Sequence, residues 1–315
     1  MPDPTAPKRT NGPKSASRTG QNVDFDAAWI PAQISTVGSN EHYPEEAPAH
    51  PVPVAGFWIA RHQVTNAQFG AFVEATGYRT VAQRPLDPAD HPGAPPENLQ
   101  PGSMVFQRTP GPVDLRHLSQ WWTWTPGACW NHPRGPRSTL RGREHHPVVH
   151  VAFEDAAAYA DWAQLTLPTE AQWEVAARGG LDGATFTWGD EPEQPGRRLA
   201  NYWHGEFPYL PDTGYGQSTP VGQFEPNGYG LFDMAGNVWE WTTDFYGPAR
   251  DSQPCCAAES YEPGQPGTPV PRRVIKGGSF LCADSYCRRY RPAARRPQAV
   301  DTGMSHIGFR CVHTG

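Results

Sequence analysis

The sequence lacks long apolar runs and lacks an excess of positive charge. It contains no stretch of about 18 apolar residues, and the longest apolar-leaning segment, VPVAGFWIA, is too short to cross a membrane. The N-terminal residues carry positive charges, but no apolar core follows them, so they do not resemble a secretory signal. The net charge of −6 offers no electrostatic footprint for nucleic acid. We therefore expect neither a membrane span nor a nucleic-acid partner.

Cysteine is scarce, with six residues in a chain of 315. So few cysteines in a chain of this size do not form a disulfide scaffold, and with no secretory signal we expect a cytoplasmic protein. Residues 1–24 are rich in Pro, Ser, Lys and Gly, a composition typical of a disordered tail. Residues 25–315 show no internal linker and no clean repeat. We expect a single domain there, and nothing in the sequence requires more than a monomer.

The sequence also has few segments in which apolar residues recur with the period of a helix or a strand. The chain has 32 Gly and 36 Pro, which favours much irregular backbone. Its 12 Trp, 13 Phe and 11 Tyr are nevertheless too many for a disordered protein. They predict a compact body held by aromatic side chains. Residues 180–270 show little helix or strand pattern, so aromatic side chains or bound ions must hold that region.

Three segments have the pattern of helices. Thr65 with Gln68 and Thr169 with Gln172 form capping-box signatures at the starts of two of them. Residues 154–164 form an Ala-rich third segment with acidic residues in its first turn. The predicted strands are short and comprise FWIARH, PVVHVA, RRVIKGGSF and IGFRCV.

Two cysteines lie close together in the segment GGSFLCADSYCRRYRPAARR. Cys282 and Cys287 are five positions apart, a spacing that separates them around a helix and across the faces of a strand. They meet only if the intervening ADS forms a turn or a bulge. Unrelated buried thiols, a disulfide and a redox pair are all compatible with this pattern. Two thiolates also suit Cu(I), whereas a structural zinc site needs about four ligands.

A second candidate site lies in NGYGLFDMAGNVWEWTTDFY. Four positions at spacings of three, two and two could supply oxygen ligands: Asp233, Gly236, Val238 and Glu240. Carboxylates and backbone carbonyls on an irregular loop suit Ca²⁺, although polar residues that cap turns would give the same pattern. The alternation of Trp239 and Trp241 with their neighbours predicts one buried face.

The histidines of REHHPVVHV have a structural or surface interpretation. In an extended chain His146 and His150 share a face but lie about 13 Å apart, too far for one ion. The remaining cysteines are interpreted as incidental loop residues (Cys255, Cys256) and core residues (Cys129, Cys311). We expect the arginines of CRRYRPAARR to pair with internal carboxylates or with a bound peptide.

Taken together, these segments resemble the formylglycine-generating enzymes. The likeness is carried by NGYGLFDMAGNVWEWTTDFY, RVIKGGSFLCADSYCRRYRPAAR and IGFRCV, and it extends over about residues 50–315. The GNVWEW part is shared by a broad superfamily. The block with Gly-Gly-Ser, the cysteine pair and Arg-Arg-Tyr-Arg is more specific, because non-catalytic paralogues lack the pair. The resemblance implies a single α+β domain with little regular structure, related to C-type lectin folds and held by Ca²⁺.

The resemblance also implies an activity. Such enzymes use O₂ to oxidise one cysteine of an unfolded or nascent sulfatase to Cα-formylglycine, within a Cys-x-Pro-x-Arg segment, with a thiol reductant. By this likeness the Cu(I) ligands are Cys282 and Cys287, and Ser279 lies beside them. Trp239 and Tyr286 would line the pocket, and Arg289 would support the peptide groove. His306, also assigned to substrate binding, stands where the family often has Asn.

The calcium ligands implied by the resemblance form two sets. The first is Asp233, Gly236, Val238 and Glu240, with Asp233 replacing Asn. The second is Asn201 and the Tyr202 carbonyl, with partners near Asp212 and Tyr215, on a loop that is shorter than usual. The positions of the disulfides of secreted relatives hold Ala160 with Cys311 and Ala177 with Pro292, so neither disulfide can form.

Three alternatives to this oxidase remain. A non-catalytic peptide-binding or lectin-like paralogue would use the same fold without chemistry. An iron sulfoxide synthase would need an additional helical domain, for which the N-terminal region is too short. A thiol–disulfide exchanger would work without copper or O₂.

Overall fold

A computed structural model describes residues 25–89, 93–193, 196–247, 260–262 and 269–314. The predicted tail, residues 1–24, and the Cys255–Cys256 pair lie outside the described residues.

The helices are Asn66–Thr76 (α1), Phe153–Trp162 (α2) and Glu170–Arg178 (α3). The strands are Ala27–Ile30 (β1), Gln33–Val37 (β2), His50–Val54 (β3), Phe57–Ala60 (β4), Gly102–Phe106 (β5), Trp122–Pro126 (β6), Gly205–Glu206 (β7), Leu210–Pro211 (β8), Trp239–Phe245 (β9), Arg272–Lys276 (β10), Arg296–Ala299 (β11), Ile307–Gly308 (β12) and Val312–His313 (β13).

All three predicted helices are confirmed, and two begin at the predicted caps. The hydroxyl of Thr65 accepts from the Gln68 backbone N–H at 3.3 Å, and the Gln68 side chain accepts from the Thr65 N–H at 2.9 Å. The same box at Thr169 starts α3. Gly77 and Gly179 end α1 and α3 with φ of 67° and 62°, in the left-handed region that glycine enters without steric cost.

The strands form small sheets rather than one large one. The largest has four strands in the order β11-β10-β9-β12, and β12 runs parallel to β9. A three-stranded sheet has the order β1-β4-β13, and three two-stranded pairs complete the set. The predicted strand FWIARH is confirmed as β4, RRVIKGGSF as β10, and IGFRCV is split between β12 and β13. The single irregular α+β domain predicted above is confirmed.

One sequence expectation about strands is wrong, and another is exceeded. Residues 147–152, PVVHVA, form no strand, because the buried His150 has a φ of 60° and bonds both Ser103 and the Pro133 carbonyl. β9 was expected to bury one face, and at its start it buries both. Its first four residues are all buried, because α3 covers one side of the sheet and the main apolar cluster covers the other.

The four-stranded sheet leads directly into the cysteine segment. After β10 ends at Lys276, Gly277 and Gly278 take φ values of 92° and 71°. A Cβ on Gly278 would lie 2.8 Å from the Tyr290 Cα, so the chain turns there without room for a side chain. This turn places Ser279 against the apolar cluster that contains Trp239 and Trp241. Among the described residues no helix has the length and apolarity that a membrane span requires.

Candidate active site

Two consecutive turns bring the cysteine pair together. The Cys282 N–H donates to the Ser279 carbonyl at 2.9 Å, and the Cys287 N–H donates to the Ala283 carbonyl at 2.6 Å. The two sulfur atoms lie 3.4 Å apart as free thiols, and both residues are buried. The turn that the spacing required is therefore present, between residues 283 and 287.

The two sulfur atoms have unequal proton affinities. The hydrogen bond from the Cys282 thiol, with the nearby charges of Arg289 and Arg296, lowers the pKa of Cys287 to about 6. Burial and the same hydrogen bond raise the pKa of Cys282 well above its ordinary value. At neutral pH the pair therefore holds one proton, with the thiolate on Cys287. A thiolate is the nucleophilic and metal-binding form of cysteine.

Arg289 connects this thiolate to the N-terminal part of the domain. Its guanidinium lies 3.9 Å from the Cys287 sulfur, 2.7 Å from a Glu45 oxygen and 3.8 Å above the ring of Tyr43. The guanidinium is thus held by groups within the chain. The role expected for Arg289 in a peptide groove would depend on this fixed position of its guanidinium.

Ser279 and Trp239 lie within the buried base of the site. The Ser279 N–H approaches the Cys282 sulfur at 3.4 Å, and its hydroxyl accepts from the Leu281 N–H at 3.2 Å. Trp239 is 1% exposed and belongs to the apolar cluster that contains both cysteines. Ser279 therefore contacts the cysteine pair, whereas Trp239 shares its apolar cluster and is covered.

Aromatic side chains form the walls around the pair. Tyr286 is half-buried, stacks on Phe207 with ring centres 4.8 Å apart and meets Trp121 edge-on at 5.6 Å. His306 is buried, and its ring centre lies 4.7 Å from that of Trp122. Burial and the charge of Arg296 lower the pKa of His306 well below its usual value, so the ring is neutral. Its Nδ1 has no hydrogen-bond partner among the described residues.

The first predicted calcium set lies at the start of β9, and Glu240 does not fit it. The carboxylate accepts from Gln63 at 2.9 Å, from the Trp173 indole at 2.7 Å and twice from Arg310, at 2.7 and 2.8 Å. A carboxylate has about four lone-pair sites, so these bonds leave none for a cation.

Asp233 does fit a cation. It is almost fully buried, accepts a hydrogen bond from the Gly222 N–H at 2.7 Å, and has no ion-pair partner among the described residues. Burial raises the pKa of its carboxyl to about 6. A buried carboxylate of this kind is stabilised by a bound cation. Asp233 with the carbonyls of Gly236 and Val238 therefore suits Ca²⁺.

The second predicted calcium set surrounds an arginine instead. Arg198 pairs with Asp212 at 3.0 Å, lies 3.6 Å from Glu193 and stands 5.5 Å over the ring of Tyr215. It also contacts His204, whose ring packs on Tyr202. Because this guanidinium already neutralises Asp212, the one carboxylate of the set, Asp212 is poorly suited to hold a calcium ion. The Oδ1 of Asn201 is buried without a partner in the described part of the chain.

The other sequence candidates lie away from the cysteine pair. Cys129 and Cys311 are buried, as predicted for core residues. His146 bonds Ser218, and His150 is buried between Ser103 and Pro133. The predicted pairing of arginines with internal carboxylates is confirmed for Arg289, and also for Arg291 with Glu46 and Arg295 with Glu170.

Sequence reasoning missed several residues around the pair. Tyr43 and Glu45 come from the start of the domain, Trp121 directly precedes β6, and Trp122 is its first residue. Arg296 lies in β11 opposite Ile275, and its charge contributes to the lowered pKa of Cys287. These positions carry no local motif, because only long-range packing brings them to the site.

The chain is similar to known proteins over most of its length. Residues 15–314 match the family model of the sulfatase-modifying factor enzyme 1-like domain. The chain is 54% identical to the formylglycine-generating enzyme of Mycobacterium tuberculosis, over 90% of this chain and 96% of that protein. It is 36% identical to the inactive C-alpha-formylglycine-generating enzyme 2 of Mus musculus, over 85% of this chain and 78% of that protein.

Solved structures show the same fold. PvdO from Pseudomonas aeruginosa superimposes with a TM-score of 0.60 at 23% identity, over 91% of this chain and 93% of that one. At this identity the likeness concerns the fold alone. The family match over nearly the whole chain, and the identity to a formylglycine-generating enzyme, go further: this chain belongs to the family of sulfatase-modifying factor enzymes, which includes the formylglycine-generating enzymes.

Proposed function

We propose that this protein activates sulfatases by oxidising the cysteine of a Cys-x-Pro-x-Arg segment to Cα-formylglycine. O₂ is the oxidant and Cu(I) the cofactor. The substrate CH₂–SH becomes an aldehyde, its sulfur leaves as H₂S, and O₂ is reduced to water with the help of a thiol reductant. The observation that carries the proposal is the buried pair of free cysteines, whose sulfur atoms lie 3.4 Å apart; the lowered pKa of Cys287 supports it.

The cysteine pair fits Cu(I). Two soft sulfur donors close together, with no other metal-binding cluster among the described His, Cys, Asp and Glu residues, suit a soft monovalent ion. Cys282 and Cys287 would hold it, and both must then be thiolates. The positive charges of Arg289 and Arg296 favour that state. When bound, Cu(I) would supply the one-electron chemistry with O₂ that side chains lack.

The surrounding residues would position the reactants. Ser279 fixes the Cys282 turn through its backbone and keeps a hydroxyl at the base of the site. Tyr286 and Trp121 give an apolar wall against which an extended substrate segment would lie. The neutral His306 would offer a hydrogen bond through its unpartnered Nδ1. The buried Trp239 would keep the apolar cluster around the pair free of water.

Mass spectrometry of a Cys-x-Pro-x-Arg peptide tests the proposal. The peptide is incubated with the protein, O₂ and a thiol reductant, with and without copper. We expect a copper-dependent loss of the cysteine sulfur and an aldehyde that reacts with a hydrazide. Cys282→Ser and Cys287→Ser should abolish the product, whereas Cys129→Ser, at a free cysteine outside the site, should retain it.

The outcomes separate the alternatives. An unchanged peptide with copper-loaded protein, but with retained peptide binding, would indicate a non-catalytic paralogue. Disulfide exchange in the absence of O₂ and copper would indicate a thiol exchanger. Wild-type turnover by either cysteine variant would contradict the assigned roles. We also propose a reducing compartment such as the cytoplasm, since the four described cysteines are free thiols.

A further inference from the structure

A cavity of about 240 Å³ lies next to the cysteine segment but is not formed by the residues assigned to the site. Phe280 and Ser305 contribute to its wall, and they adjoin Ser279 and His306 in the chain. The rest of the lining comes mainly from β5, residues 133–149 and residues 216–218. The proposed oxidation gives this space no role.

The charged side chains that line the cavity are all positive. Arg134 and Arg143 line it, whereas no Asp or Glu does. Neither arginine forms an ion pair within the described chain, and the side chain of Arg143 bonds only the neutral Gln217, at 3.0 Å. Burial and the charge of Arg134 lower the pKa of Arg143. Two positive charges therefore face one space without an ion-pair partner among the described residues. Arg143 is the partly buried one, and an unpaired charge in such a position costs free energy.

The remaining lining divides into a polar and an apolar part. His146 bonds the Ser218 hydroxyl at 3.0 Å, and burial with the charge of Arg143 lowers its pKa to about 4. His146 is therefore neutral at pH 7 and adds no further positive charge. Phe106, Leu140 and Phe280 form apolar walls of the same cavity.

We propose that this cavity binds a small free carboxylate with an apolar body. The guanidinium groups of Arg134 and Arg143 would take the carboxylate, for which the planar fork of arginine is suited. The apolar body would lie against Phe106 and Phe280. At about 30 Å³ per water molecule, the volume corresponds to roughly eight waters, or to a ligand of about ten non-hydrogen atoms. A free small molecule fills such a space.

Benzoate is a suitable probe, with benzamide as its uncharged counterpart of the same shape. Isothermal titration of the full chain at constant ionic strength should show saturable benzoate binding in the millimolar range, as is typical for a ligand of this size. Benzamide should not bind measurably. Arg134→Gln and Arg143→Gln should each weaken benzoate binding at least tenfold. Arg141→Gln removes an exposed arginine of the same segment that does not line the cavity, and it should leave binding unchanged.

Three results would overturn this assignment: no saturable benzoate binding by the wild type, equal binding of benzamide, or equal weakening by Arg141→Gln and Arg134→Gln. The exposed Arg134 makes no side-chain hydrogen bond within the described residues, so its replacement keeps the test valid even where Arg143→Gln perturbs folding. The measurement uses no turnover, so its result is independent of the proposed oxidation.

Discussion

At the scale of single residues, the cysteines of this chain differ by what surrounds them. Cys311 lies in an apolar cluster, and burial alone raises the pKa of its thiol far above the ordinary value. Cys287 is also buried, but a hydrogen bond and two arginines lower its pKa to about 6. Burial therefore does not decide reactivity here, because the hydrogen bond from Cys282 and the charges near the sulfur reverse its effect.

Replacing Arg289 tests this explanation of the Cys287 thiolate. Arg289→Gln removes the guanidinium 3.9 Å from the sulfur and leaves Glu45 without its partner. Both changes disfavour the thiolate, so the pKa of Cys287 should rise by about one unit. Thiolate absorbance followed against pH measures this in the copper-free protein. Arg288→Gln, at the exposed neighbouring position, should leave the titration unchanged. A titration of Arg289→Gln identical to the wild type would contradict the account.

Asp233 gives a second prediction for a single residue. Its pKa is raised from 3.8 to about 6, so the folded state binds the proton more tightly than the unfolded state does. Folding stability is therefore lost as pH rises from about 4 to about 6, by about 3 kcal/mol in total. Asp233→Asn should remove this loss and stabilise the calcium-free protein at neutral pH.

Urea unfolding of both proteins over this pH range, with and without Ca²⁺, makes the measurement. Burial also raises the pKa of Asp155 to about 6, which adds a loss of folding stability of the same sign to both proteins. The difference in stability between the two proteins therefore isolates the effect of Asp233. Ca²⁺ should stabilise the wild type more than the variant. A wild type indifferent to Ca²⁺ would argue against the Asp233 site.

At the scale of elements, short segments without regular structure are held by charged side chains. The segment after residue 200 packs on the cysteine loop, because the Trp203 N–H donates to the Cys282 carbonyl at 2.8 Å. Arg198 links this segment to Glu193 and Asp212. The guanidinium of Arg198 thus holds this loop as a bound cation would. The loop in turn donates a hydrogen bond to the carbonyl of Cys282, a proposed copper ligand.

Removing Arg198 should expose this role. The side chain is 40% exposed, so solvent screens its pairs, and Arg198→Gln should cost about 1 kcal/mol in urea unfolding. Equilibrium dialysis of the wild type should show no bound calcium beyond the ion proposed at Asp233. Arg197→Gln, at the exposed neighbour, should change neither quantity. The assignment fails if wild-type Asp212 binds calcium, or if the two variants lose equal stability.

At the scale of the whole molecule, buried ion pairs join segments that are far apart in sequence. Arg310, near the C-terminus, makes a two-bond contact with Glu240 of β9, and Gln63 from the N-terminal half bonds the same carboxylate. Arg291 binds Glu46 in the same way. With small sheets and short helices, such connections determine how the segments pack.

Glu240→Gln should therefore be severely destabilising. It leaves the fully buried Arg310 without a counter-charge, and the free energy of unfolding should fall by about 3–5 kcal/mol. Glu154→Gln, which breaks an exposed pair with Arg84, should cost less than about 1 kcal/mol. If calcium stabilises the wild type but not Glu240→Gln, Glu240 is a calcium ligand and the arrangement described above is incomplete.

The sequence by itself determined the features that depend on neighbours along the chain. The caps at Thr65 and Thr169 and the glycines after α1 and α3 act through bonds within a few residues, so their pattern predicts the helices. The spacing of Cys282 and Cys287 required a turn, and the motif around it indicated the family.

Only the tertiary structure decided which distant groups meet. Tyr43 and Glu45 reach Arg289 across more than 240 positions, and Arg310 takes up the Glu240 carboxylate that the spacing had suggested for calcium. His150 adopts a positive φ, because its side chain bonds Ser103 and Pro133 in the core. The physical reason is common to all three. The free energy of a buried charge or imidazole depends on partners in space, and those partners have no fixed separation in sequence.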